Sequence, residues 1–248
     1  MADRLFSDAG LAALYDLMCP WDGRDDFGFY FPLVMSARSV LDVGCGTGML
    51  LHRAREAGHT GRLCGLDPAE GMLAQARKRP DVEWVHGDLA SAAWHGEFDL
   101  VVMTGHAFQV YVADEELRVA LAAIREALSE SGRFVFETRN PAARAWERWT
   151  PDEAIEVVDA AGVAVRNVPE VQSVDGDLVS FTQTFVSAAW GRAPVSHSTL
   201  RFLDSARLAA FLDGAGLAVE RQFGDWDGSP LVDMSPEIIV TARRKSAC

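Results

Sequence analysis

Between residues 38 and 139 the apolar positions follow two alternating rhythms. Short apolar runs at 38–43, 61–66, 82–85, 98–103 and 133–137 are separated by stretches with an apolar residue every three to four positions. The first kind suits strands buried on both faces, and the second suits amphipathic helices. The spacing predicts helices from Gly48 to about Ala57, across Met72, Leu73 and Ala76 as far as Pro80, and from Asp114 to about Glu130. In the last of these Leu117, Leu121, Ile124 and Leu128 form one stripe. Strands alternating with helices imply an α/β doubly wound, Rossmann-like sheet, mostly parallel, with helices on both faces. The rhythm then changes. Residues 154–203 alternate with period two, as in Leu178-Val179-Ser180-Phe181-Thr182, and Asp175-Gly176-Asp177 is a turn signal. Three or four antiparallel strands are therefore expected as an insert over 150–203. A helix at 206–213, a strand at 217–223 and a last, antiparallel strand at 237–242 complete the main sheet. Near the start, Leu11, Leu14, Tyr15 and Met18 recur at helical spacing before Pro20, and aromatics then mix with glycine over 21–32. Residues 1–37 read as a helical segment, either a cap on the sheet edge or a lid over a ligand. The whole of 1–248 reads as one domain.

Composition narrows the function classes. A net charge of −13 and a pI near 4.8 argue against sustained contact with nucleic acid or an anionic membrane. No apolar segment reaches the ~20 residues needed to cross a bilayer. Cys19, Cys45, Cys64 and Cys248 are scattered, with no Cys-x-x-Cys pair and no histidine at metal-ligand spacing, so no disulfide or zinc framework is expected. The start, Met1-Ala2-Asp3-Arg4-Leu5-Phe6, lacks the pattern of a signal peptide. These features predict a cytoplasmic protein without a metal.

The chemistry concentrates at Val40-Leu41-Asp42-Val43-Gly44-Cys45-Gly46-Thr47-Gly48, a strand that turns at once into a helix. Such a turn needs residues that tolerate positive φ and close backbone approach. A dinucleotide loop requires a further glycine three positions after the second, and Met49 stands there. Asp42 disfavours a pyrophosphate as well, because like charges about 4 Å apart cost several kcal/mol in partly buried surroundings. A cationic, phosphate-free nucleoside fits both residues.

These residues resemble the first motif of class I S-adenosylmethionine-dependent methyltransferases. The resemblance extends through Gly65-Leu66-Asp67, Met72-Leu73, Gly87-Asp88-Leu89 and Phe98-Asp99-Leu100-Val101-Val102, covering roughly 38–139. It implies S-adenosyl-L-methionine as cofactor, with S-adenosyl-L-homocysteine as product. It also implies roles. Gly44, Gly46 and Gly48 would line the methionine and ribose portion, and Asp42 would reach the ammonium. Asp67 would hold both ribose hydroxyls, Met72 would lie on the adenine, Asp88 with Leu89 would meet the adenine amino group, and the Thr104 carbonyl would meet the ammonium.

Ligands of open α/β sheets bind beyond the carboxyl ends of the strands. That rim includes His106, Phe108 and Arg139. His106 is the candidate base, since an imidazole titrates near neutral pH; the alternative is a histidine that only bonds the loop. His197 is a lesser candidate. Tyr15, Trp21, Phe108, Arg139, Trp146, Trp149 and His197 make up the expected substrate pocket. The insert reads as a substrate roof or as a homodimer contact. The function expected is methyl transfer to an oxygen or nitrogen of a small metabolite. The alternative is a fold relative that binds S-adenosylmethionine without transferring its methyl group, or that uses it for different chemistry.

Overall fold

A computed structural model of the chain describes residues 3–245. Cys248 and the Met1-Ala2 start of the sequence lie outside these described residues. Seven strands form the main sheet: β1 (Ser39–Val43), β2 (Arg62–Asp67), β3 (Glu83–His86), β4 (Phe98–Met103), β5 (Leu128–Arg139), β10 (Leu217–Phe223) and β11 (Glu237–Arg244). Their order is β10-β11-β5-β4-β1-β2-β3, with β11 antiparallel to both of its neighbours and the strands from β5 to β3 parallel. The doubly wound reading holds.

Period-two alternation sends side chains of each strand to two separate cores. Phe134 and Phe136 of β5 join Leu121 and Ile124 of α7 (Asp114–Ala127) and Leu208 and Leu212 of α8 (Ser205–Gly214). Val135, between them, joins Tyr30 and Val34 of α4 (Asp25–Ser36) and Leu50 and Leu51 of α5 (Met49–Glu56) on the other face. Asp114, Glu115 and Glu116 fill the first turn of α7, where the helix dipole favours negative charge. Among the described residues no helix is long and apolar enough to cross a membrane.

The N-terminal region departs from expectation. Three one-turn helices stand here, α1 (Arg4–Ser7), α2 (Ala9–Ala12) and α3 (Tyr15–Met18), and the stripe is split between the last two, with Leu11 in α2, Tyr15 and Met18 in α3, and Leu14 at the junction. The Asp8 side chain accepts from the Gly10 and Leu11 N–H groups and so starts α2 afresh. Residues 25–36, which contain Gly28 and Pro32, form the helix α4 despite both breakers. Phe27, Tyr30 and Val34 lie on one buried stripe, while Gly28 and Pro32 are both exposed, where the carbonyl left without a partner faces water. Burial has overridden propensity here.

The insert is a four-stranded antiparallel sheet of β6 (Ile155–Val158), β7 (Ala164–Asp175), β8 (Leu178–Val186) and β9 (Val195–Arg201), paired in that order. Its buried face packs on the N-terminal helices, where Val165 and Phe185 meet Leu5, Leu11, Leu14 and Met18. The Leu5 N–H donates to Ser196 Oγ at 2.9 Å, and Ser198 Oγ donates to Asp3 Oδ2 at 2.5 Å. On their other side α1 and α2 lie against α6 (Glu70–Ala76), where a Cβ on Gly71 would come within 2.6 Å of the Phe6 carbonyl. The N-terminal helices thus sit between the insert and the sheet that carries the glycine loop.

Candidate active site

Three left-handed glycines, at φ 74°, 56° and 79°, carry the chain from β1 into α5, and their surroundings differ. A Cβ on Gly44 would lie 2.9 Å from that of Ala107, and one on Gly48 would run into the Trp84 ring. A Cβ on Gly46 would meet nothing within 4 Å. Gly46 is therefore the glycine of the loop that faces open space. Its N–H donates to Asp67 Oδ2 at 2.8 Å, while Asp67 Oδ1 accepts from the Ala69 N–H at 2.8 Å. Asp67 thereby ties the end of β2 to the loop, and each oxygen keeps a lone pair.

A cleft of about 380 Å³, counting space open to solvent, lies over the loop. Tyr15, Asp16, Arg24 and Phe27 bound it on the N-terminal side; Asp42, Gly44, Gly46, Thr47, Thr104 and Gly105 bound it on the sheet side. Asp42 is 1% exposed, and its Oδ1 has no hydrogen-bond partner. Burial, and then the nearby Asp67, push its carboxyl up to about 7. Arg24 is held by Asp26 through two bonds, at 2.7 and 2.5 Å, and lies 4.1 Å from the centre of the Phe27 ring. Thr47 Oγ1 donates to Asp16 Oδ1 at 2.6 Å, which fastens α3 to the glycine loop. Burial pushes the Tyr15 phenol up to about 12, so it remains a neutral donor.

Beside the cleft, Gly105 and His106 both take left-handed backbone, at φ 66° and 63°. The His106 N–H donates to Glu137 Oε1 at 2.6 Å, and the Tyr30 hydroxyl donates to Glu137 Oε2. Burial pushes the Glu137 carboxyl up to about 8. His106 Nε2 lies 3.0 Å from both Glu237 oxygens, the geometry of one N–H shared by a carboxylate. Burial, and then Arg139, hold the His106 imidazole well below its usual range, so the ring is neutral at neutral pH. Arg139 Nη1 donates to Gln109 Oε1 at 2.9 Å, and its guanidinium lies 5.2 Å from the Trp149 ring centre.

Of the residues singled out from the sequence, Tyr15, Asp42, Gly44, Gly46 and Thr104 converge on the cleft, with Asp67 bound to its loop. Gly48 faces Trp84. Met72 is buried against Ala12 and Ala69, with Phe6 and Tyr15 alongside. Asp88 is exposed outside the cleft, and its Oδ1 accepts from the Ala90 and Ser91 N–H groups in a turn; Leu89 belongs to the sheet core. The substrate-pocket set needs correction. Phe108 stacks on Phe136 at 4.3 Å inside the core, because the short turn after β4 swings it under the sheet. Trp21 stacks on Phe27 at 4.6 Å and does not line the cleft. His197 is exposed on β9, whose inward positions are taken by Ser196 and Ser198. Trp146 packs on Phe202, whereas Trp149 lies between Phe181 and Arg139. Sequence reasoning missed Arg24, Asp26, Tyr30, Glu137 and Glu237. The last two did leave a signal. Each is a carboxylate at the end of an otherwise apolar run, Phe134-Val135-Phe136-Glu137 and Glu237-Ile238-Ile239-Val240.

A sequence-family model described as a methyltransferase domain matches residues 40–132. The chain is 28% identical to a cypemycin N-terminal methyltransferase from a Streptomyces species, over 99% of this chain and 93% of that one. It is 29% identical to the dTDP-3-amino-3,6-dideoxy-alpha-D-glucopyranose N,N-dimethyltransferase of Streptomyces fradiae, over 89% of each. Among solved structures, Streptomyces venezuelae DesVI superimposes with a TM-score of 0.70 at 25% identity, covering 94% of this chain and 98% of that one.

Proposed function

From the premise that this chain is a class I S-adenosylmethionine-dependent methyltransferase, we propose that it methylates a nitrogen or oxygen of a small metabolite by in-line displacement. Asp42 carries the reading. A buried carboxylate oxygen with no partner is costly, and here it borders a cleft whose central glycine opens onto empty space. A cation is the natural partner for that oxygen.

The residues fit the amino acid end of S-adenosylmethionine. Asp42 would take its ammonium and Arg24, in the same cleft, its carboxylate. The spare lone pairs of Asp67 would take ribose hydroxyls. Bound there, the cofactor supplies an electrophilic methyl group on a good leaving group, so positioning and exclusion of water can provide most of the acceleration. The N-terminal helices, with the insert packed on them, would roof the site, because Tyr15 and Asp16 bring that layer to the cleft. The acceptor would lie between this roof and the rim of His106 and Arg139. His106, a neutral imidazole at the rim, would accept the proton that an ammonium or hydroxyl must lose. The S. fradiae relative is an N,N-dimethyltransferase of an amino sugar nucleotide, which favours nitrogen.

Calorimetry with S-adenosylmethionine, S-adenosylhomocysteine and nicotinamide nucleotides tests the donor. Saturable binding of the first two alone is expected, and no S-adenosyl binding would sink the assignment. The acceptor follows from screening small amines and alcohols for formation of S-adenosylhomocysteine.

A further inference from the structure

His106 is a non-glycine residue in left-handed backbone, a conformation that persists only where its surroundings fix it. Two carboxylates do so from adjacent strands. Glu137 of β5 holds its backbone N–H, and Glu237 of β11 holds its ring. The β5–β11 register pairs Arg139 with Glu237 and Glu137 with Ile239, so the two acids stand two rungs apart on one ladder. Glu237 is 9% exposed, and among the described residues its carboxylate accepts from no side chain but the His106 ring.

We propose that Glu237 is the positioning residue of this site, holding Nε2–H of His106 so that Nδ1 carries the free lone pair and takes the proton of the acceptor. The proposal rests on the reading of His106 as the base. In that step the N–H or O–H bond of the acceptor breaks and Nδ1–H forms. The electron pair stays on the acceptor atom for its new bond to the methyl carbon, and the carbon–sulfur pair leaves on sulfur. The ring becomes an imidazolium whose Nε2–H faces the Glu237 carboxylate, the role a buried acid plays behind a histidine base. The other charged groups around the ring explain why a partner is needed. Arg139 on β5 and Arg24 before α4 oppose a positive ring, Asp26 on α4 favours it, and Glu137 is occupied by Tyr30 and the His106 N–H. Asp225, in the loop after β10, lies near Glu237 itself.

Nitrogen-15 NMR of the full chain, labelled at histidine, reads the tautomer directly, the His106 signals being those lost in His106→Gln. A single Nε2–H tautomer is expected in the unaltered protein at neutral pH. A mixture is expected in Glu237→Gln, whose amide can donate or accept, and a return to Nε2–H in Glu237→Asp. An Nδ1–H tautomer in the unaltered protein, or an unmoved tautomer in Glu237→Gln, overturns the proposal. Turnover on the screened acceptor separates the two readings. Glu237→Gln should lose at least about tenfold in kcat with unchanged cofactor affinity. A His106→Gln enzyme as fast as the unaltered one removes the base. A slow His106→Gln beside a fast Glu237→Gln removes only the role of Glu237.

Discussion

Asp42 is costly as long as its orphan oxygen stays unpaired, and if it takes the cofactor ammonium as proposed, cofactor binding should be proton-linked. Burial favours the protonated carboxyl below about 7, whereas an ammonium beside it would favour the carboxylate. Affinity for S-adenosylmethionine should therefore rise as pH climbs from 5.5 toward 7. It should fall again as the α-amino group of the ligand loses its proton near ~8. Asp42→Asn should lose the rising limb and bind about tenfold to hundredfold more weakly; a rising limb that survives in this variant would move the cation elsewhere. The glycines make a second test. Gly46→Ala places a methyl in the open cleft and should abolish cofactor binding at a stability cost of about 1 kcal/mol, from its positive φ alone. Gly48→Ala meets Trp84 and should lower Tm more, by about 2 kcal/mol or greater in stability. Equal Tm losses in the two would contradict this division. The loop itself was legible in the sequence because its signals are contiguous. That Gly48 serves Trp84, 36 positions away, was not.

At the scale of elements, legibility followed how local each signal is. β1, β2 and β4 are apolar runs closed by glycine or acid, and their predicted bounds fall within a residue or so of the observed ones. α4 was hidden because Pro32 and Gly28 argue against a helix, while its support, the packing of Tyr30 and Val34 on the sheet, is tertiary. Glu137 and Glu237 are a hundred positions apart and meet at His106 only because β11 inserts beside β5. The layer proposed as a roof likewise packs Leu5, Leu11, Leu14 and Met18 on strands more than 140 positions later, through Val165 and Phe185. Its fastening can be tested. Asp16→Ala removes the bond that holds α3 to Thr47, and should weaken cofactor binding about two- to tenfold. The loss should fall on the dissociation rate, seen by stopped-flow, with Tm nearly unchanged. A dissociation rate equal to that of the unaltered protein would mean that α3 is not a cover.

For the molecule as a whole, three buried acids set the pH range of stability. Asp42, Glu137 and Glu237 are raised to about 7, 8 and 7 by burial, whereas unfolded carboxyls titrate near ~4. Between those values the native state binds more protons than the unfolded chain, so its stability falls with rising pH and levels off above about 8. The net charge of −13 adds repulsion in the same direction. On the acid side, Asp114 and Asp177 are held below the usual carboxylate range, chiefly by Arg201. The stability they contribute is lost as pH drops through their lowered range. Thermal melts of the ligand-free protein should peak near pH 5 to 6 and decline toward pH 8. A Tm that rises from pH 6 to 8 would contradict the burial of these acids.

The place of β11 between β5 and β10 carries a consequence for biosynthesis. On the ribosome β10 emerges first, and it has no strand to pair with until residues 237–244 follow and slide in beside β5. Until then the apolar edge of β5 is open, a template for pairing with another nascent chain, and the ring partner of His106 does not yet exist. The enzyme can close its sheet and complete its rim only in one and the same late event, after translation has passed Arg244.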